Sequence, residues 1–144
     1  MKHLETSIEI NAAPEKVWSI ITDFASFPDW NPFVTMATGT PGKGTRLHIR
    51  VEAPNSKPME FKPIVQTFEP GRELMWKGSL PVPGLFIGQH YFRIEDLGDG
   101  KSRFIHGEHF SGLLIPLLWK GINTNVRQGY ESMNVAVKER AEAS

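Results

Sequence analysis

The stretch Leu85–Trp119, LFIGQHYFRIEDLGDGKSRFIHGEHFSGLLIPLLW, changes period twice, and those changes decide the architecture. From Gly88 onward His90, Phe92 and Ile94 fall on every second position, while Gln89, Arg93 and Glu95 lie between them. That alternation is the signature of a half-buried strand. Gly98-Asp99-Gly100 then supplies turn chemistry, and Arg103–Phe110 alternates again, which predicts a hairpin with its turn over residues 97–101. From Leu113 the period becomes helical: Leu118, Ile122, Val126, Gly129, Met133 and Val137 recur at steps of three and four. A helix over about residues 116–139 would be roughly 36 Å long at 1.5 Å per residue.

Working back toward the N-terminus, Leu4, Thr6, Ile8 and Ile10 alternate as a first strand. Pro14 and Glu15 suit the opening turn of a helix that carries Val17, Ile20, Ile21 and Phe24 on one face. The prolines of ASFPDWNPF limit the next segment to a short second helical turn and a bend. Four more strands are expected in FVTMATG, TRLHIRVEA, MEFKPIVQTFE and RELMWKGSL, the third slipping parity around Pro63 as at an edge or a bulge. TPGKG between the first two is a hairpin turn without phosphate-loop spacing. Strands joined by short turns are antiparallel, and only the terminal helix is long enough to cover their apolar face. The expectation is an α+β fold: a curved antiparallel sheet of about seven strands wrapped around a long C-terminal helix, with two short helices after strand 1.

The 144 residues suffice for one domain over 1–144 with a sizeable core. Hydrophobic residues make up 40% and charged residues 22%, as in a soluble globular protein. Lys plus Arg equals Asp plus Glu at 16 each, and the basic residues are scattered. Such a chain has no field to attract nucleic acid. The absence of cysteine excludes disulfides, thiolate metal sites and a cysteine nucleophile. No run reaches the roughly 18 apolar residues of a membrane span, and MKHLETSIEI has no signal-peptide core. A cytoplasmic protein without stable membrane insertion is expected. No G-x-S-x-G elbow is present, which argues against a serine hydrolase.

Three motifs carry a family likeness: APEKVWSIITDFASFPDWNPF, GQHYFRI, and RFIHGEHFSGLLIPLLW. With the element order, they resemble the START-like, helix-grip superfamily called SRPBCC, and within it the polyketide cyclase/dehydrase-like branch. The resemblance covers essentially the whole chain. It implies an internal cavity between sheet and helix that takes an apolar small molecule, with no cofactor. A shared fold leaves the activity open.

The candidate site follows from parity. If Phe104 and Phe110 face inward, so do His106 and Glu108, and His90 on the neighbouring strand should lie near the level of Glu108. Two histidines and a carboxylate then share one wall. They could form a mutually satisfied buried cluster, orient the polar head of an apolar guest, or act as acid and base through His90 and Glu108. A 2-His-1-carboxylate metal site is conceivable from the residue types but is not expected.

The cavity would be lined from the sheet by Leu47, Ile49, Val51, Phe61, Trp76, Phe92, Phe104 and Phe110, and from the helix by Leu118, Ile122 and Val126. Trp30 and Phe33, in the proline-bracketed bend, would sit beneath the helix, whereas Trp18 reads as core. SLPVPGLF is either an entrance loop or a rigid turn. Gly121 and Gly129 either permit close helix–sheet packing or leave room for a guest. The leading function is carriage or sensing of a hydrophobic compound such as a lipid, a polyketide-like molecule or an aromatic. A cyclase or dehydratase, and a regulatory protein-interaction module, are the alternatives.

Overall fold

A computed structural model describes residues 1–143 of the chain. Strand β1 (Lys2–Ile10) leads into α1 (Pro14–Thr22), a 3₁₀ turn (Phe24–Ser26) and the single-turn α2 (Phe27–Trp30). Strands β2 (Val34–Thr38), β3 (His48–Val51), β4 (Met59–Phe61), β5 (Ile64–Glu69), β6 (Glu73–Ser79), β7 (Ile87–Gly98) and β8 (Lys101–Ser111) come next. The chain closes with α3 (Ile115–Gly121), a π-helical segment (Ile122–Val126) and α4 (Arg127–Glu142), which run on as one long helix.

All paired strands are antiparallel, in a five-stranded sheet ordered β1-β8-β7-β6-β5 and a three-stranded sheet ordered β2-β3-β4. The two are stitched together where Arg46 bridges Ile64, and where the Leu47 N–H donates to Pro63 O and the Val65 N–H to Thr45 O, at 2.8 and 2.9 Å. The curved sheet expected from the sequence is therefore present. Its MEFKPIVQTFE strand is split at Lys62-Pro63 into β4 and β5, because proline offers no N–H to a ladder. A further register shift lies between Val65 and Thr67. Regular pairing in TRLHIRVEA is confined to His48–Val51.

The β7–β8 hairpin is the backbone of the site. Asp99 adopts φ 54° at its tip, flanked by glycines that take the same left-handed region without strain. The pairing sets His90 opposite Glu108 and Phe92 opposite His106. Alternation then buries His90, Phe92, Phe104, His106 and Phe110 on one face, under the long helix.

That helix is buried unevenly. Gly129, Tyr130, Met133, Asn134, Val137 and Ala141 are buried in α4, but Leu118, on the same apolar stripe, is 40% exposed. The π-helical segment adds a wide turn between α3 and α4, so one helical period does not run unbroken through both.

Candidate functional site

Between the β3–β7 arm of the sheet and the α3–π part of the helix lies a cavity of about 300 Å³. Phe33, Ile49, Val51, Phe61, Trp76, Phe86, Phe110, Leu118, Ile122 and Val126 form most of its apolar wall. Three ionisable groups reach it. His90 and Glu108 are on the hairpin, nearly covered, while Lys57 is exposed on the β3–β4 connection.

The hairpin register accounts for the polar end. His90 Nδ1 is 3.5 Å from Glu108 Oε1, and that oxygen also accepts the Tyr130 hydroxyl from α4. The carboxyl lies across Gly88, where a Cβ would collide with Glu108 Oε2. Glycine at this position makes room for the acid. Behind His90 the network runs into the closed core: His90 Nε2 to His106 Nε2 at 2.7 Å, and His106 Nδ1 to Asn134 Oδ1 at 3.0 Å. Asn134 Nδ2 donates to Thr6 Oγ1 at 2.8 Å, and that hydroxyl donates to His106 O at 2.9 Å. Each buried polar group here has a partner, which offsets the cost of its desolvation.

Burial sets the charge states. It pushes the Glu108 carboxyl up to about 7, although the Tyr130 hydrogen bond pulls the other way. Burial, followed by the neighbouring His106, holds His90 well below the usual histidine range. Burial brings His106 down to about 3 against the opposing hydrogen bond to Asn134. Tyr130 is raised well above the usual tyrosine range, by burial and then by Glu108. Both histidines are therefore neutral near pH 7. Glu108 is the group that exchanges a proton in that range.

The structure brings Phe33, Ile49, Val51, Phe61, Trp76, His90, Glu108, Phe110, Leu118, Ile122 and Val126 to the cavity. Five residues expected on its wall lie elsewhere. Phe92 and Phe104 stack 5.9 Å apart in the closed core, and His106 is sealed beneath the Tyr130 ring at 4.0 Å. Leu47 is buried at the Gly39 turn. Trp30 packs edge-on against Phe27, with the Arg140 guanidinium 5.7 Å from its ring. Inward parity is common to core and cavity, so parity alone could not separate them.

Several wall residues escaped the sequence reading, among them Ala53, Ser56 and Lys57 from the β3–β4 connection, Met59 at the start of β4, and the facing glycines Gly78 and Gly88. Leu80 and Phe86, the two ends of the SLPVPGLF loop, also line the cavity, which seats that loop at its edge. Tyr130 and Asn134 were missed as well. The available signal was a tyrosine and an asparagine four apart, each one residue from the apolar stripe. Gly129 proves to be a packing glycine, since a Cβ there would strike the Phe33 ring, whereas one at Gly121 would meet nothing within 4 Å. Among the described residues no group of three His, Cys, Asp or Glu side chains is arranged to hold a metal ion. No helix among them is long and apolar enough to cross a membrane.

Residues 1–142 match the family model described as polyketide cyclase/dehydrase and lipid transport. The chain belongs to that family. The SRPBCC, helix-grip assignment is thereby shown, and solved structures agree with it at the level of fold. An aromatase/cyclase from a Streptomyces species superposes with a TM-score of 0.80 at 15% identity, over 98% of this chain and 93% of that one. A START superfamily protein from Mycobacterium smegmatis gives 0.77 at 19% identity, over 97% of each chain. A norcoclaurine synthase from Thalictrum gives 0.75 at 13% identity, over 97% of this chain and 93% of that one. No functionally curated protein matches this polyketide cyclase/dehydrase family chain by sequence.

Proposed function

We propose that this protein binds a mostly apolar small molecule in the cavity between sheet and helix, as a carrier or sensor. One observation carries the reading: a void of about 300 Å³ whose wall is apolar except for a polar end at Glu108 and His90. That volume is at the small end of the roughly 300–1,000 Å³ range of ligand pockets, which favours a compact ring system or a short chain. The open void supports a ligand over a partner-binding module, for which a pocket filled by side chains would be expected. Native mass spectrometry of the purified protein tests the proposal. A discrete adduct, released on denaturation and competed away by an apolar probe, is the expected result. Failure to bind any apolar probe would overturn it.

The alternative is a cyclase or dehydratase, and its support is the Glu108 carboxyl, raised to about 7 on a cavity wall beside the Tyr130 hydroxyl. In that reading Glu108 alone would give and take the proton, with neutral His90 as an acceptor behind it. Glu108→Gln would then lower turnover by roughly two to four orders of magnitude while changing affinity modestly. A carrier has no turnover to lose.

A further inference from the structure

The hydrogen bonds behind Glu108 have a single consistent direction, and it bears on which ligand group the cavity accepts. Thr6 Oγ1 is 2.9 Å from His106 O, a carbonyl that can only accept, so the one hydroxyl proton is committed there. The hydroxyl oxygen must then accept from Asn134, which fixes the amide with Nδ2 toward Thr6 and Oδ1 toward His106. His106 Nδ1 therefore carries the proton, and its neutral ring presents a lone pair at Nε2. His90, 2.7 Å away, must donate from Nε2, which leaves His90 Nδ1 as a lone pair facing Glu108 Oε1. A proton on Glu108 Oε1, 3.5 Å away, avoids setting two lone pairs against each other. Tyr130 donates to the same Oε1.

Everything that fixes the proton of Glu108 thus acts on Oε1. Among the described residues no hydrogen bond uses Oε2, which lies across Gly88 on the cavity wall. With Glu108 ionised, Oε2 accepts; with the proton on Oε1, Oε2 is a carbonyl oxygen and again accepts. Only a proton on Oε2 would make it a donor, and that arrangement would set the His90 Nδ1 lone pair against one on Oε1. We infer that the cavity selects apolar ligands bearing a hydrogen-bond donor, an alcohol, phenol or protonated amine, over isosteres carrying only an ether or carbonyl oxygen, with Glu108 Oε2 as the acceptor. Asn134 and Thr6, which touch no part of the cavity, are positioning residues that set this polarity through His106 and His90. The inference rests on the binding role proposed for the cavity and specifies the ligand's polar group.

Calorimetric titration of the full chain with naphthol, methoxynaphthalene and acetonaphthone separates the possibilities. Naphthol should bind about tenfold more tightly than the other two, the worth of one added hydrogen bond. Glu108→Leu, which removes the acceptor, should abolish the preference. Leucine offers no oxygen to the ligand, so the three probes should bind it alike. A thermal melt of the variant confirms that it folds. Equal affinity for all three probes in the unaltered protein, or a naphthol preference retained in folded Glu108→Leu, would overturn the inference while leaving the cavity as a binding site. Binding of none of the three would remove the binding role and the inference together.

Discussion

The two ends of the long helix do opposite things with the same sheet. Along α4 the contact is closed: Met133 and Val137 are fully buried, Phe92 and Phe104 lie in the core, and Gly129 lets Phe33 pack against the backbone. Along α3 and the π-helical segment the helix stands off, Leu118 is 40% exposed, and the space beneath is the cavity. Glu108 and Tyr130 mark the boundary, and the His90–His106–Asn134–Thr6 network runs from the cavity into the closed end. The close packing lies at one end of the grip and the void at the other.

If this division is right, truncation should cost far more at the closed end. Phe92→Ala should destabilise by about 3–5 kcal/mol in urea unfolding, as for other buried phenylalanines. Phe86→Ala, on the half-buried cavity edge, should cost less than about 1.5 kcal/mol, since the void is already there. Equal losses would break the comparison.

The paired helix glycines sharpen it. Gly129→Ala forces a methyl into the Phe33 ring and should cost about 1–3 kcal/mol. Gly121→Ala meets no neighbour and should stabilise by up to about 1 kcal/mol through helix propensity alone.

The boundary groups predict a pH signature. Glu108 rises from an ordinary 4.5 to about 7 on folding, so its contribution is fully present below pH 4.5 and is lost as pH rises toward 7. The histidines behave oppositely. Their folded values are depressed, so their stabilising effect is present above 6.5 and lost as pH falls, down to about 3 for His106. Between pH 4.5 and 6.5 two histidines oppose one carboxyl, and net stability should rise with pH. Glu108→Gln, which cannot ionise, should therefore gain melting temperature relative to the unaltered protein at pH 8 and lose that advantage by pH 5. Melts at the two pH values check it, and a pH-independent difference would contradict the assignment of Glu108 as the titrating group.

Much of this was legible in the alternation of GQHYFRI and RFIHGEHF, because a hairpin turn fixes register and register fixes neighbours. The opposition of His90 and Glu108 follows from counting back from Gly98-Asp99-Gly100. What was not legible is where the helix lifts away. Phe92 and Phe110 have the same parity and chemistry, yet one is core and the other cavity wall, because the difference lies in how closely the helix packs against the sheet at each point. Tyr130 and Asn134 were obscured similarly: beside an apolar stripe a polar residue reads as flanking surface until its partner on the sheet is placed. Lys57 and Met59 line the cavity from the β3–β4 connection and the first residue of β4, positions that alternation alone does not reach.

The central claim is that the space beneath α3 holds a ligand. Titration of naphthol into the unaltered protein and into Val126→Trp, which projects a large ring from the helix wall into that space, tests it most directly. One equivalent should bind the unaltered protein, and the plugged variant should lose at least tenfold in affinity while remaining folded. Undiminished binding to folded Val126→Trp would place the ligand elsewhere and contradict the account.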